Sequence, residues 1–120
     1  MVFAGNDDGM GRELRKTSQK SKFSKRIHLI EGSSIDKNTI QKVKKISKNF
    51  RKIMVLLDSN HNHEHVLEEL KLYTPFVTNK SYCVVFDTII NDLNRKFYSN
   101  KPWNKKKNPK TAIDDFLLYQ

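Results

Sequence analysis

The sequence predicts an α/β fold: a parallel sheet with helices packed on its flanks. Three observations lead there. Short apolar, β-prone runs alternate with segments whose apolar residues recur at helical spacing. The runs are apolar throughout rather than at every second residue, as in strands covered on both faces. Each run is closed by a polar cluster, and open α/β sheets bind ligands beyond the carboxyl ends of their strands. Strand–helix–strand order gives right-handed crossovers and parallel pairing.

Residues 1–26 mix Gly, Asn, Asp, Ser, Lys and Arg without a period, which predicts an irregular basic lead-in before a domain spanning 27–120. Ile27–Ile30 is a short β-prone run stopped by Gly32-Ser33-Ser34, and Ser34 or Asp36 can cap a helix after it. Ile40, Val43, Ile46 and Phe50 then recur at helical spacing, with Lys42, Lys44, Lys45 and Lys48 largely opposite them, predicting a helix near Thr39–Phe50. Ile53–Leu57 is the second strand, closed by Asp58-Ser59-Asn60. Val66, Leu67, Leu70 and Tyr73 define a helix over His63–Tyr73, and Pro75 ends it. Tyr82–Phe86 is the third strand, closed by Asp87-Thr88. A long polar stretch, 89–107, carries Pro102 and Trp103. Asn108-Pro109 then opens a helix over Lys110–Leu118, with Ala112, Ile113, Phe116 and Leu117 on its apolar side. Three strands are few for such a sheet. Both of its ends would be exposed edges, which invites self-association.

The formal charge of +10 raises the question of an anionic partner. Two features argue against a specific nucleic-acid role. The basic residues are mostly Lys, whereas Arg is the better reader of phosphates and bases. They are also spread over Arg12–Arg26, Lys37–Lys52 and Arg95–Lys110. A non-catalytic basic module binding nucleic acid or another anionic partner remains the alternative to an enzyme. No apolar run reaches the roughly 18 residues of a membrane span, and MVFAGNDDGMG is not built like a secretory signal. The single Cys83 lies within an apolar run and reads as an inert thiol, which fits a reducing cytoplasm.

If the strands are neighbours, Asp58 and Asp87 share one rim, and two carboxylates there suit a hard cation such as Mg²⁺. Each Asp alone is equally a turn or cap residue. The cluster His61-Asn62-His63-Glu64-His65 invites zinc, since His61 and His65 could share a helix face, but it is not H-E-x-x-H and no third ligand is evident. The plainer expectation is that these histidines cap or line a helix N-terminus. Nucleotide motifs such as G-x-G-x-x-G are absent. Gly5, Gly9 and Gly11 cluster without an apolar strand ahead of them, so no phosphate-cradling loop is expected.

The stretches IHLIEGSSID (Ile27–Asp36), KIMVLLDSNHNHEHVLEELKLYTPFV (Lys52–Val77), SYCVVFDT (Ser81–Thr88) and NKPWNKKKNPKTAIDDFL (Asn100–Leu118) closely resemble the cephalosporin hydroxylase family. The resemblance runs from about Phe23 to the end. It implies part of a Rossmann-like, S-adenosylmethionine-dependent methyltransferase domain, with a small-molecule or sugar hydroxyl as acceptor. It places Glu31, Gly32, Ser33, Ser34 and Asp58 near the cofactor, and Asp58 and Asp87 at a Mg²⁺ site. Phe86 stands where the family pattern has the first acid of a pair, which removes one oxygen ligand. His61 and His65 match histidines of the motif. The family's first strand with its glycine loop, its second strand with a ribose-binding acid, and its final strands have no counterpart in this reading. The expectation is therefore a truncated chain that does not transfer methyl groups alone. The family's name also suggests an iron oxygenase on Asp58, His61 and His65, though a cosubstrate site is not visible.

Overall fold

The computed structural model describes residues 2–5 and 9–119. The chain forms two compact units, residues 1–49 and 50–120.

In the first unit, β1 (Val2–Gly5) pairs parallel with β2 (His28–Glu31), in register from Val2 with His28 to Gly5 with Glu31. Helix α1 (Gly9–Lys20) connects them. Residues 1–26 thus contain a strand and a helix instead of an irregular segment. Periodicity missed them because β1 offers only Val2, Phe3 and Ala4 before its glycine and α1 just Met10 and Leu14 as apolar residues. The glycine expectation changes with it: Gly5 ends a strand, while Gly9 and Gly11 lie in the first turn of the next helix. Asn6, Asp7 and Asp8, between the two elements, lie outside the described residues. Helix α2 (Lys37–Ser47) comes after β2. Asp36 caps it, Oδ1 accepting from the amides of Asn38 at 2.8 Å and Thr39 at 3.4 Å. Ile30, Ser34 and Thr39 are buried in this unit.

In the second unit, β3 (Val55–Leu57) pairs parallel with β4 (Cys83–Val85), Val55 opposite Cys83 and Leu57 opposite Val85. Helix α3 (His63–Tyr73) forms the crossover, and a 3-10 turn at Thr74–Phe76, with Pro75 inside it, ends the helix. Parallel pairing and three helices agree with expectation. The strands belong to separate two-stranded sheets, not one three-stranded sheet. Burial also differs. Val55 and Leu57 are buried but Leu56 is 53% exposed, so β3 is covered on one face only.

The polar stretch after β4 is shaped by 3-10 turns at Thr88–Asp92 and Arg95–Phe97 and by pairing of Asn104 with Lys107. Helix α4 (Pro109–Leu118) packs on α3, with Ala112 fully buried. No helix among the described residues is long and apolar enough to cross a membrane.

The start of α4 depends on one side chain. Asn108 is fully buried. Its Oδ1 accepts from the amides of Lys110 (2.9 Å) and Thr111 (3.2 Å), while Nδ2 donates to the carbonyls of Asn104 (2.9 Å) and Lys105 (3.0 Å). Asn108→Ala leaves these groups unpaired and is expected to lower stability by about 2–4 kcal/mol. Asn108→Asp keeps the cap acceptor but sets a buried carboxylate oxygen against the carbonyls of Asn104 and Lys105, so it should lose stability as well. Urea unfolding measures both, and an Ala variant within about 0.5 kcal/mol of wild type would show the cap to be unimportant.

Candidate functional site

Because β3 and β4 run parallel, the loops after them leave the sheet at the same edge. After Leu57 come Asp58, Ser59, Asn60 and His61, and the Asn60 side chain accepts from the Asn62 amide at 2.8 Å. After Val85 the ladder continues one step, with the Phe86 amide donating to the Leu57 carbonyl at 2.9 Å. Asp87 then takes a left-handed conformation (φ 57°), which Asp tolerates better than most residues, and starts the 3-10 turn at Thr88. His61 Nε2 lies 2.8 Å from Asp87 Oδ2. A carboxylate only accepts, so Nε2 carries the proton of this bond, and in the neutral ring the lone pair then sits on Nδ1. The His61 ring also meets Trp103, centroids 5.5 Å apart, and Trp103 meets Tyr98 at 6.3 Å. The expected rim is present, but the partner the structure gives Asp87 is His61. Asp58 is exposed on the same loop.

The three histidines engage three different acids. His63 reaches Thr111 Oγ1 at 2.8 Å through Nδ1 and Asp115 at 3.3 Å through Nε2, joining α3 to α4. His65 Nε2 is 3.6 Å from Glu69 Oε1. His63 and His65 lie in the first turn of α3 and line its start, while Asn62, the N-cap residue, makes no side-chain cap bond. Since α3 begins at His63, His61 and His65 do not share a helix face. Among the described residues, no group of three or more His, Cys, Asp or Glu is placed to hold a metal ion. Neighbouring Glu64 pairs with Lys107, a hydrogen bond that lowers its carboxyl pKa, but the pair is exposed and adds little stability.

Glu69 escaped the sequence reading. It is 2% exposed on the inward face of α3 beside Val66, Leu70 and Tyr73. The signal was available as a carboxylate inside an apolar stripe. Its Oε1 accepts from Ser59 Oγ at 2.5 Å, whereas its Oε2 is buried without a hydrogen-bond partner. Burial, followed by the charge of Glu69, raises the pKa of the half-buried Cys83 thiol, so little reactive thiolate forms.

In the first unit, the loop after β2 holds Glu31, Gly32, Ser33 and Ser34. Glu31 is paired with Arg15 Nη2 at 3.2 Å. Gly32 has φ 134°, and a Cβ there would meet Thr39 Oγ1 at 2.7 Å. That face of the glycine is occupied by the chain's own side chain. Ser34 is buried and Ser33 half-buried.

The family described as Rhamnosyl O-methyltransferase/CmcI matches residues 6–120. Among curated proteins, the Rhamnosyl O-methyltransferases of Mycobacterium tuberculosis (strain ATCC 25618 / H37Rv) and Mycobacterium bovis (strain BCG / Pasteur 1173P2) are each 36% identical to the chain over 66 residues. That segment is 54% of this chain and 27% of each relative, so the match spans about a quarter of the relatives' length. No solved structure gives a significant match.

Glu69 also acts on Tyr73. Burial first, then the Glu69 charge, pushes the Tyr73 hydroxyl from 10.0 up to about 12. The folded state therefore holds this proton more tightly than the unfolded chain. The contribution is complete below about pH 10 and is lost as pH rises to about 12. Urea unfolding at stepped pH should show this fall in wild type and a shallower one in Tyr73→Phe. Identical slopes would contradict it.

Proposed function

We propose that this chain, which belongs to the Rhamnosyl O-methyltransferase/CmcI family, carries part of an S-adenosylmethionine-dependent O-methyltransferase centre acting on a sugar or small-molecule hydroxyl. The observation that carries the reading is the His61–Asp87 pair at the carboxyl ends of two parallel strands, where α/β enzymes keep their chemistry. S-adenosylmethionine, when bound, supplies a methyl group on a positively charged sulfur. The hydroxyl oxygen that accepts it must lose a proton. His61 takes that proton at Nδ1, and Asp87 fixes the tautomer and stabilises the imidazolium that forms. The rhamnosyl acceptor named for the relatives is one candidate substrate.

The chain fits the methyl donor in part. Glu31 and Ser33 offer polar groups on the loop after β2. Arg15 already engages Glu31, however, and Thr39 fills the space beside Gly32. Binding by the chain alone is therefore weak. The residues do not suit a tightly held Mg²⁺. Asp87 is committed to His61, and Phe86 adds an apolar side chain where a carboxylate oxygen would serve.

Titration of the ¹⁵N-labelled chain with S-adenosylmethionine tests the reading. Amide shifts are expected at residues 31–34, with a dissociation constant weaker than about 100 µM. Absence of shifts at this loop would overturn the assignment, and micromolar binding would show that Arg15 and Thr39 do not block it. Whatever methyl transfer to a rhamnoside the wild-type chain supports should fall about 100-fold or more in His61→Ala, and transfer at the wild-type rate would remove His61 from the chemistry. Mg²⁺ should bind weakly, and more tightly to Phe86→Glu.

A further inference from the structure

Glu69 has no part in the chemistry above, yet its burial calls for a reason. An ionised carboxylate taken out of water is costly, and an apolar residue of similar size would serve packing as well or better. It lies in the inward stripe of α3, where Val66 and Leu70 are its neighbours. What it holds is specific. Oε1 accepts the hydroxyl of Ser59, which sits between Asp58 and His61 on the loop after β3. From there the loop is fixed stepwise. Ser59 is tied down to Glu69, the Asn60 side chain accepts from the Asn62 amide, and His61 meets Asp87.

We propose that Glu69 is a positioning residue: through Ser59 it anchors the Asp58–His61 loop and so sets His61 against Asp87. It touches neither acceptor nor donor of the methyl group. Its functional meaning rests on the proposed role of His61, but its structural effect does not. The buried Oε2, which has no hydrogen-bond partner, marks the cost of the arrangement, since one oxygen is desolvated so that the other can hold the loop.

The test uses the full chain and ¹⁵N spectra of the histidine rings. His61 reports on the loop, and His63, bonded to Thr111 and Asp115, reports on the α3–α4 packing. In Ser59→Ala, whose hydroxyl is lost from an exposed residue, the Nε2–H tautomer of His61 should lose its preference. Amide exchange at 58–61 should rise about tenfold or more, while His63 is unchanged. Glu69→Leu should do the same. Glu69→Gln, which keeps an acceptor for Ser59, should retain most of the wild-type His61 signal. If Ser59→Ala and Glu69→Leu leave His61 and loop exchange as in wild type, the proposal is overturned. It is equally overturned if His61 and His63 are disturbed together, because Glu69 would then serve the fold at large. Should the methyltransferase reading fail, the S-adenosylmethionine shifts would be missing while these ring signals still tracked Glu69.

Discussion

The parallel pairing of β3 with β4 is the constraint on which the second unit depends. Antiparallel strands would send the loops after Leu57 and Val85 to opposite edges, and Asp87 could not meet His61. Parallel pairing also requires a crossover, and α3 supplies it. The same helix that closes the topology carries Val66 and Leu70 into the core and Glu69 under the loop. Strand direction, core and site geometry are thus consequences of one arrangement.

The histidines show how helix geometry distributes chemistry. Residues two apart on an α-helix point about 200° away from each other, so His63 and His65 cannot converge on one ion. His63 faces α4 and finds Asp115, while His65 lies one turn from Glu69. His61 precedes the helix and turns to Asp87. A sequence that looks like a metal cluster is instead three imidazole–carboxylate contacts with separate duties. Asp87 and Asp115 are distant in sequence, so spacing alone could not show those two pairs.

Legibility in the sequence tracks the strength of each local signal. Helices α2, α3 and α4 announce themselves by apolar residues at helical spacing, and Asp36 and Asn108 mark two of their starts. Strands β2, β3 and β4 stand out as apolar runs between polar clusters. The elements before residue 21 did not, because β1 sits in a stretch otherwise rich in glycine and polar residues and α1 is largely polar. The rim after β3 and β4 was legible as well, since Asp58, His61 and Asp87 each come after a strand. The partners were not. The fit of His61 to Asp87 depends on the left-handed turn at Asp87 and on Trp103, brought in from the polar stretch before α4. Exposure of Leu56 was hidden too, because an unbroken apolar run reads the same whether one face or both are covered.

The central claim is that the crossover delivers His61 to Asp87 as a bonded pair. A double-mutant cycle with His61→Ala, Asp87→Ala and the double variant, each unfolded in urea at neutral pH, addresses it directly. Both side chains are about two-fifths exposed, so solvent screens the interaction. A favourable coupling of about 0.5–1 kcal/mol is predicted. Losses that add to within about 0.3 kcal/mol would mean that the two residues do not interact, contradicting the account.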